Sequence, residues 1–210
     1  MKIQNRTRTH TQLQGVTAFN HHAPMRPTIY ATATGRYVTP GWVRNAGVNQ
    51  VQGLDELYYS PIYVARECTF DQVMIDVRVA AAGAVARLGL YSAQFEDNGR
   101  LTPNALTSDW GTVSVASTGL KTIVIDETLA EGFHFLASSS DGTPQYRGTS
   151  LTNAASGPVT GSGGDASDVM NKVILSVTVA DGAAALPDPA TVADNGHTIN
   201  LLSIVLRTQA

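Results

Sequence analysis

From Thr69 to Ala137 the chain repeats an every-second-residue apolar pattern, and this constrains its fold more than any other feature. Val73, Ile75, Val77 and Val79 alternate with Gln72, Met74, Asp76 and Arg78. That is the period of an extended strand with one face in a core. Ala84, Ala86, Leu88 and Leu90 repeat the pattern, Lys121 to Ile125 forms a β-branched run, and Phe133, Phe135 and Ala137 share one face with His134 opposite. The alternation predicts an antiparallel β-domain, with His134 on the outer face of its sheet.

Turn signals partition the rest. Pro40-Gly41, Asn45-Ala46-Gly47, Ala80 to Gly83, Asp97-Asn98-Gly99, Ser117 to Gly119 and Leu129 to Gly132 each break the pattern, and Asn-Gly supplies the left-handed residues of a tight turn. Thr28 to Val38 has strand propensity, Leu54 to Tyr59 fits one helical turn before Pro61, and Trp110-Gly111 precedes a short strand at Thr112 to Val115. Ser138 to Asp168 reads as a low-complexity surface loop. Its Gly161-Ser162-Gly163-Gly164 run precedes a strand, whereas a phosphate cradle requires a helix. Asn171 to Val179 and Leu201 to Thr208 are late strands flanking a loop at Asp181 to His197. The pattern as a whole is an all-β, antiparallel, jelly-roll-like β-sandwich over residues 28–210, preceded by an extended N-terminal arm over residues 1–27.

The arm is polar, and its apolar residues Ile3, Leu13, Val16, Phe19 and Met25 are too widely spaced to form an amphipathic face. Such a segment gains order by lying on a neighbour. These five residues are the candidate attachment anchors. His10, His21 and His22 lack the carboxylate or thiolate that would complete a metal shell. Asp97-Asn98 lacks the later ligands of a calcium loop. No metal or other cofactor is therefore expected.

Charged residues are only 15% of the 210, and the net charge is −3, so neither nucleic acid nor an anionic membrane is an electrostatically favoured partner. Cys68 is the single cysteine, which precludes an internal disulfide and suits a reduced strand residue. The polar start and the lack of an 18-residue apolar run predict synthesis in the cytosol without export. Neither G-x-S-x-G nor H-E-x-x-H occurs. Glu96, Asp97, Asp109, Asp126, Glu127, Glu131 and Asp141 sit where turn carboxylates belong, so no enzyme is expected. A glycosidase would need two of them to converge across a cleft.

Tyr58-Tyr59-Ser60-Pro61, Thr69-Phe70-Asp71 and Arg87-Leu88-Gly89-Leu90-Tyr91 stand in an order and spacing that continue through Gly99, Pro103, Asp109-Trp110-Gly111 and Ser117-Thr118-Gly119-Leu120-Lys121. Leu129 and Gly132-Phe133-His134-Phe135-Leu136-Ala137 complete the series, within the segment Tyr58 to Tyr146. This stretch resembles a module of tailed-bacteriophage virion proteins, the tail-fibre, receptor-binding and head-decoration proteins. The resemblance implies a jelly-roll sandwich, a homotrimer, a place on the virion surface beside capsid or other virion proteins, and no catalytic residues. A polar arm in place of a fibrous shaft favours a capsid decoration (cement) protein. The alternative is a tail-fibre module recognising a host-surface glycan, with Tyr58, Tyr59, Trp110 and Tyr146 as candidate stacking aromatics.

Overall fold

A computed structural model describes residues 28–29, 35–38, 48–97, 101–150, 174–191, 197–198 and 200–209. The arm over residues 1–27, with its five candidate anchors, lies outside the described residues, as do Asn98, Gly99 and the glycine run at 161–164.

The described residues are all-strand: β1 (Thr28–Ile29), β2 (Tyr37–Val38), β3 (Val48–Val51), β4 (Glu56–Val64), β5 (Cys68–Val79), β6 (Val85–Phe95), β7 (Leu101–Ser114), β8 (Gly119–Leu129), β9 (Gly132–Ser140), β10 (Gln145–Ser150), β11 (Ile174–Thr178), β12 (His197–Thr198), β13 (Asn200–Leu202) and β14 (Val205–Thr208). They form two sheets. Sheet A runs β12-β11-β4-β9-β6-β7 with β1 on the edge of β4, and sheet B runs β13-β10-β5-β14-β2 with β3 on β10 and β8 on β5. Every pairing is antiparallel except β1 with β4.

The predicted alternation places the main core. Val73, Ile75 and Val77 of β5 face Ala86, Leu88 and Leu90 of β6 across the sandwich, joined by Ile62, Val64, Leu136, Tyr146, Leu202, Ile204 and Leu206. Leu202, Ile204 and Leu206 keep the inward register expected of a last strand, although the strand breaks at Ser203 and Ile204. Cys68 opens β5 as a free, half-buried thiol, and burial raises its pKa. Met74, on the face opposite Val73, is also buried, in register with Thr122 and Val205.

Four local expectations change. Leu54 to Tyr59 makes no helical turn: Asp55 takes a left-handed φ of 55°, and β4 starts at the next residue. Ser138–Ser140 completes β9 and Gln145–Ser150 is β10, because Ser and Thr are good strand residues once a ladder offers their backbones partners. The short strand predicted at Thr112 to Val115 is the end of a longer one, β7, which runs through Trp110-Gly111. Trp110 is the extra residue of a β-bulge, with Leu88 opposite Gly111 and Gly89 opposite Asp109, and Gly111 takes the positive φ of 85° that only glycine adopts without strain.

His134 is the fourth change. It pairs with Ile62 and so shares the inner face with Leu136, bonding its own corner through Nε2 and Ala130 O at 2.9 Å. Phe133, Phe135 and Ala137 point outward from the sandwich, and the outer side of sheet A is apolar as well.

Candidate functional site

The outer face of sheet A is built from Leu57 and Tyr59 of β4, Tyr91 of β6, Leu101 of β7, and Phe135 and Ala137 of β9. A bare sheet face of this kind would be costly in water. The chain covers it with residues 179–191, an extended strap whose Leu186 seats among these residues. Gly89 lies under Leu186, where a Cβ would overlap Leu186 Cδ1 and come within 2.8 Å of Ser108 O.

Hydrogen bonds tie the strap down along its length. At its start, Val179 N donates to Asp55 O at 2.7 Å and Gly182 N to Asp55 Oδ1 at 2.7 Å. Ser139 Oγ donates to Gly182 O at 2.7 Å. At its centre, Tyr91 Oη donates to Pro187 O at 2.7 Å, and Leu106 N to Asp188 Oδ1 at 3.1 Å. Ala190 N donates to Asn104 O at 2.7 Å near the end.

Arg87 and Asp109 form the buckle. The guanidinium grips both carboxylate oxygens at 3.0 and 2.9 Å, and Arg87 Nε donates to Ala183 O at 3.1 Å. Asp109 also accepts from Gly111 N at 3.0 Å and from Leu186 N at 3.3 Å. One acid thereby fixes both the bulge and the strap.

Tyr59 and Tyr91 stack edge to face at 5.2 Å beneath the strap. Burial pushes the Tyr59 phenol up to about 12, and its hydroxyl lies beside the Tyr91 hydroxyl and the Thr191 backbone without a well-formed hydrogen bond. The Tyr91 phenol is raised further, by burial first and by the neighbouring Tyr59 second.

The four candidate stacking aromatics do not come together. Tyr59 is under the strap. Tyr58 is buried on the opposite face of β4, its hydroxyl donating to Glu56 Oε2 at 2.7 Å and accepting from Gly53 N at 3.2 Å. Tyr146 stands in the main core, its phenol raised by burial. Trp110, aimed by its bulge, closes the side of the sandwich between β7 and β8, packs on the main core, and donates Nε1 to Glu127 Oε2 at 3.2 Å. Three of the four rings are buried and offer no face to a sugar.

No protein-family model and no curated protein matches the chain.

The carboxylates singled out in the sequence do mostly structural work. Besides Asp109 and Glu127, Asp141 Oδ1 accepts from Val85 N at 2.7 Å and Glu131 from Tyr63 Oη at 3.5 Å. Among the described residues no three His, Cys, Asp or Glu side chains group as a metal site, and no helix is long and apolar enough to cross a membrane.

Two surfaces stay open. The outer face of sheet B carries Arg207 gripping Asp71 at 2.8 and 2.7 Å and Arg147 on Asp76 at 2.7 Å, beside exposed Tyr37, Leu120 and Val124. The Arg207 bonds hold the Asp71 carboxyl below the usual carboxylate range. The second surface continues the outer face of sheet A beyond the strap. There Phe95, 64% exposed, stacks on half-buried Phe133 at 5.9 Å, and Phe133 stacks at 4.9 Å on Tyr63, which is buried. The alternation noted in the sequence stops at Leu90, short of this surface, whereas β6 runs on to Phe95. The same alternation continues through Tyr91, Ala93 and Phe95 and would have revealed it.

Proposed function

We propose that this chain is a non-enzymatic structural protein of a tailed-phage virion surface, a homotrimeric capsid decoration protein fastened through residues 1–27. Its partners are further copies of itself and the capsid proteins beneath it. The observation that carries the reading is how the polar and aromatic side chains are used. Asp55, Asp109, Asp141, Asp188 and Glu127 hold backbone amides, an arginine or an indole, and Tyr59, Tyr91 and Tyr146 are core residues. A domain whose acids and aromatics brace its own loops presents surface rather than a reaction centre. The order and spacing of motifs from Tyr58 to Tyr146 supply the virion assignment.

Mass action gives the mechanism. Lattice contacts stabilise the bound state by interface free energy, and an arm that orders only on the particle adds contacts at the cost of its own ordering entropy. The test is deletion of residues 1–27, followed by sedimentation of particles assembled with the variant. The sandwich should stay folded, as judged by far-UV circular dichroism, and fail to co-sediment. Full incorporation of the deletion variant refutes the arm's role. The glycan-recognition alternative draws no support from Tyr58, Tyr59 or Tyr146, which are buried.

A further inference from the structure

Among the described residues two long strands have a neighbour on one side only: β7 pairs with β6 alone and β8 with β5 alone. Every second residue of such a strand turns its N–H and C=O away from that neighbour. An open row of these groups is a template for a further strand. The other elements at the sheet margins, β1, β2, β3, β12 and β13, have two to four residues each, too few to serve as one.

β7 is blunted. Pro103 lies within it, its ladder with β6 shifts register three times, and Asp109 stands in it bound to Arg87. The first half of β8 has none of these devices. Gly119 to Val124 pairs with β5 in unbroken register, without proline and with Lys121 as its one charge. The register shift comes beyond Val124, opposite the step from Gln72 to Phe70. In this half Leu120, Thr122 and Val124 are exposed on the outer face, Leu120 at 62% and Val124 at 78%, while Lys121 and Ile123 are half-buried.

The sequence of this edge is complementary to itself. Turned about a two-fold axis at Thr122, β8 meets a second copy antiparallel, with Leu120 opposite Val124 of the second copy, Lys121 opposite Ile123 and Thr122 opposite Thr122. The two exposed apolar residues then cover each other, a Thr–Thr pair sits at the axis, and no like charges are opposed. Lys121 sends its ammonium back to Ser117 Oγ at 2.7 Å, which leaves its alkyl stem for Ile123. Other axes lose the match. At Leu120, Val124 falls opposite Ala116, outside the strand; at Lys121, two lysines oppose; at Ile123 or Val124, the pairing runs into the register shift.

We propose that residues 120–124 of β8 pair with the same residues of a second copy about this axis, so that sheet B continues from one molecule into the next. The contact is isologous and joins copies two at a time; in the trimeric reading it links one trimer to another, and it does not rest on that reading. A contact of this size gives weak, concentration-dependent association.

The test uses the full chain carrying Cys68→Ser, so that each introduced thiol is alone, with Thr122→Cys, Leu120→Cys or Val124→Cys, each checked for its fold by far-UV circular dichroism. Opposed strand residues have Cα atoms about 4.5–5.5 Å apart, within the reach of a disulfide. Position 120 of one copy lies about 13 Å along the strand from position 120 of the other. Under mild oxidation Thr122→Cys should give disulfide-linked pairs several-fold faster than Leu120→Cys or Val124→Cys alone, and an equal mixture of those two should give the mixed pair in preference to either like pair. All three positions are exposed on one face, so chance collision would link them alike; equal rates, or faster linkage of 120 or 124 to itself, overturn the proposal. A second readout needs no thiol. In sedimentation velocity the weight-average coefficient of the unmodified protein should rise with concentration, and Thr122→Lys, which opposes two cations at the axis, should lose that rise. A rise absent from the unmodified protein, or unchanged in Thr122→Lys, refutes pairing at this edge.

Discussion

Leu186 over Gly89 offers the most demanding check of this architecture, because one contact joins two residues 97 positions apart whose costs can be worked separately. Leu186→Ala removes three carbons from a buried seat. At about 0.8 kcal/mol per methylene the transfer loss is about 2.4 kcal/mol. A residual cavity brings Leu→Ala changes to about 2–5 kcal/mol. The strap lies on the surface and can sink toward the sheet, so about 3 kcal/mol is expected, a fall in Tm of about 6–12 °C for a chain of this size. Gly89→Ala should cost about 1–3 kcal/mol by overpacking, since its Cβ would meet both Leu186 Cδ1 and Ser108 O. In the double variant the clash with Leu186 is gone and the one with Ser108 O remains. The pair should therefore be less destabilised than the sum of the singles by about 1 kcal/mol, within the range for residues in contact. Urea unfolding with unchanged m-values reads all four corners of the cycle. Additive costs would mean that Leu186 is not seated on Gly89, and the covered face would have to be reconsidered.

Alkaline pH should destabilise the protein through its buried phenols. Tyr59, Tyr91 and Tyr146 have pKa values raised in the folded state, so above pH 10 the unfolded chain releases protons that the folded one retains, and stability falls as pH rises. At pH 11 each should cost about 1.4 kcal/mol against an unfolded pKa of about 10; phenolate absorbance from all seven tyrosines before unfolding would contradict this. The depressed Asp71 pKa works in the opposite window. Its stabilisation is present above the ordinary carboxylate range and is lost as pH falls through the lowered value, so the stability difference between the unmodified protein and Asp71→Asn should shrink on acidification, and a pH-independent difference would rule out the Arg207 pair as its source. Trp110→Phe removes the bond to Glu127 and should cost about 1 kcal/mol, read as a lower urea midpoint with the m-value unchanged; no change in midpoint would show that the indole does not brace the β7 and β8 edges.

The main core was legible in the sequence because its period is local. Val73, Ile75 and Val77, and again Ala86, Leu88 and Leu90, announce which way they face without reference to anything distant. The outer face of sheet A was not legible in that way, because its cover comes from residues nearly a hundred positions later. Leu186 and Tyr91, and Ser139 and Gly182, meet through chain reversals that no local pattern encodes. Strands buried on both faces do leave a trace, a continuous apolar run in place of an alternating one. Leu57 to Val64, broken only by Ser60, comes close to such a run, and all eight residues are buried. Reading Tyr58 and Tyr59 as surface aromatics weighed residue type over that context, and placing His134 outward followed from assuming a single buried face.

The same reasoning bears on function. With one sheet covered by its own chain, ligand recognition by a solvent-facing aromatic platform cannot run through Tyr59 or Tyr146, whatever residues 1–27 do. The open surfaces are of two kinds: a charge-paired face on sheet B, where Arg207, Asp71, Arg147 and Asp76 satisfy one another, and an unfinished aromatic corner on sheet A. A satisfied charge lattice gives a neighbour little beyond register, because its pairs are already made and are screened at the surface. The exposed Phe95 ring, by contrast, offers apolar area whose burial is favourable. On energetic grounds, the exposed Phe95 ring is therefore where added apolar contact should stabilise most.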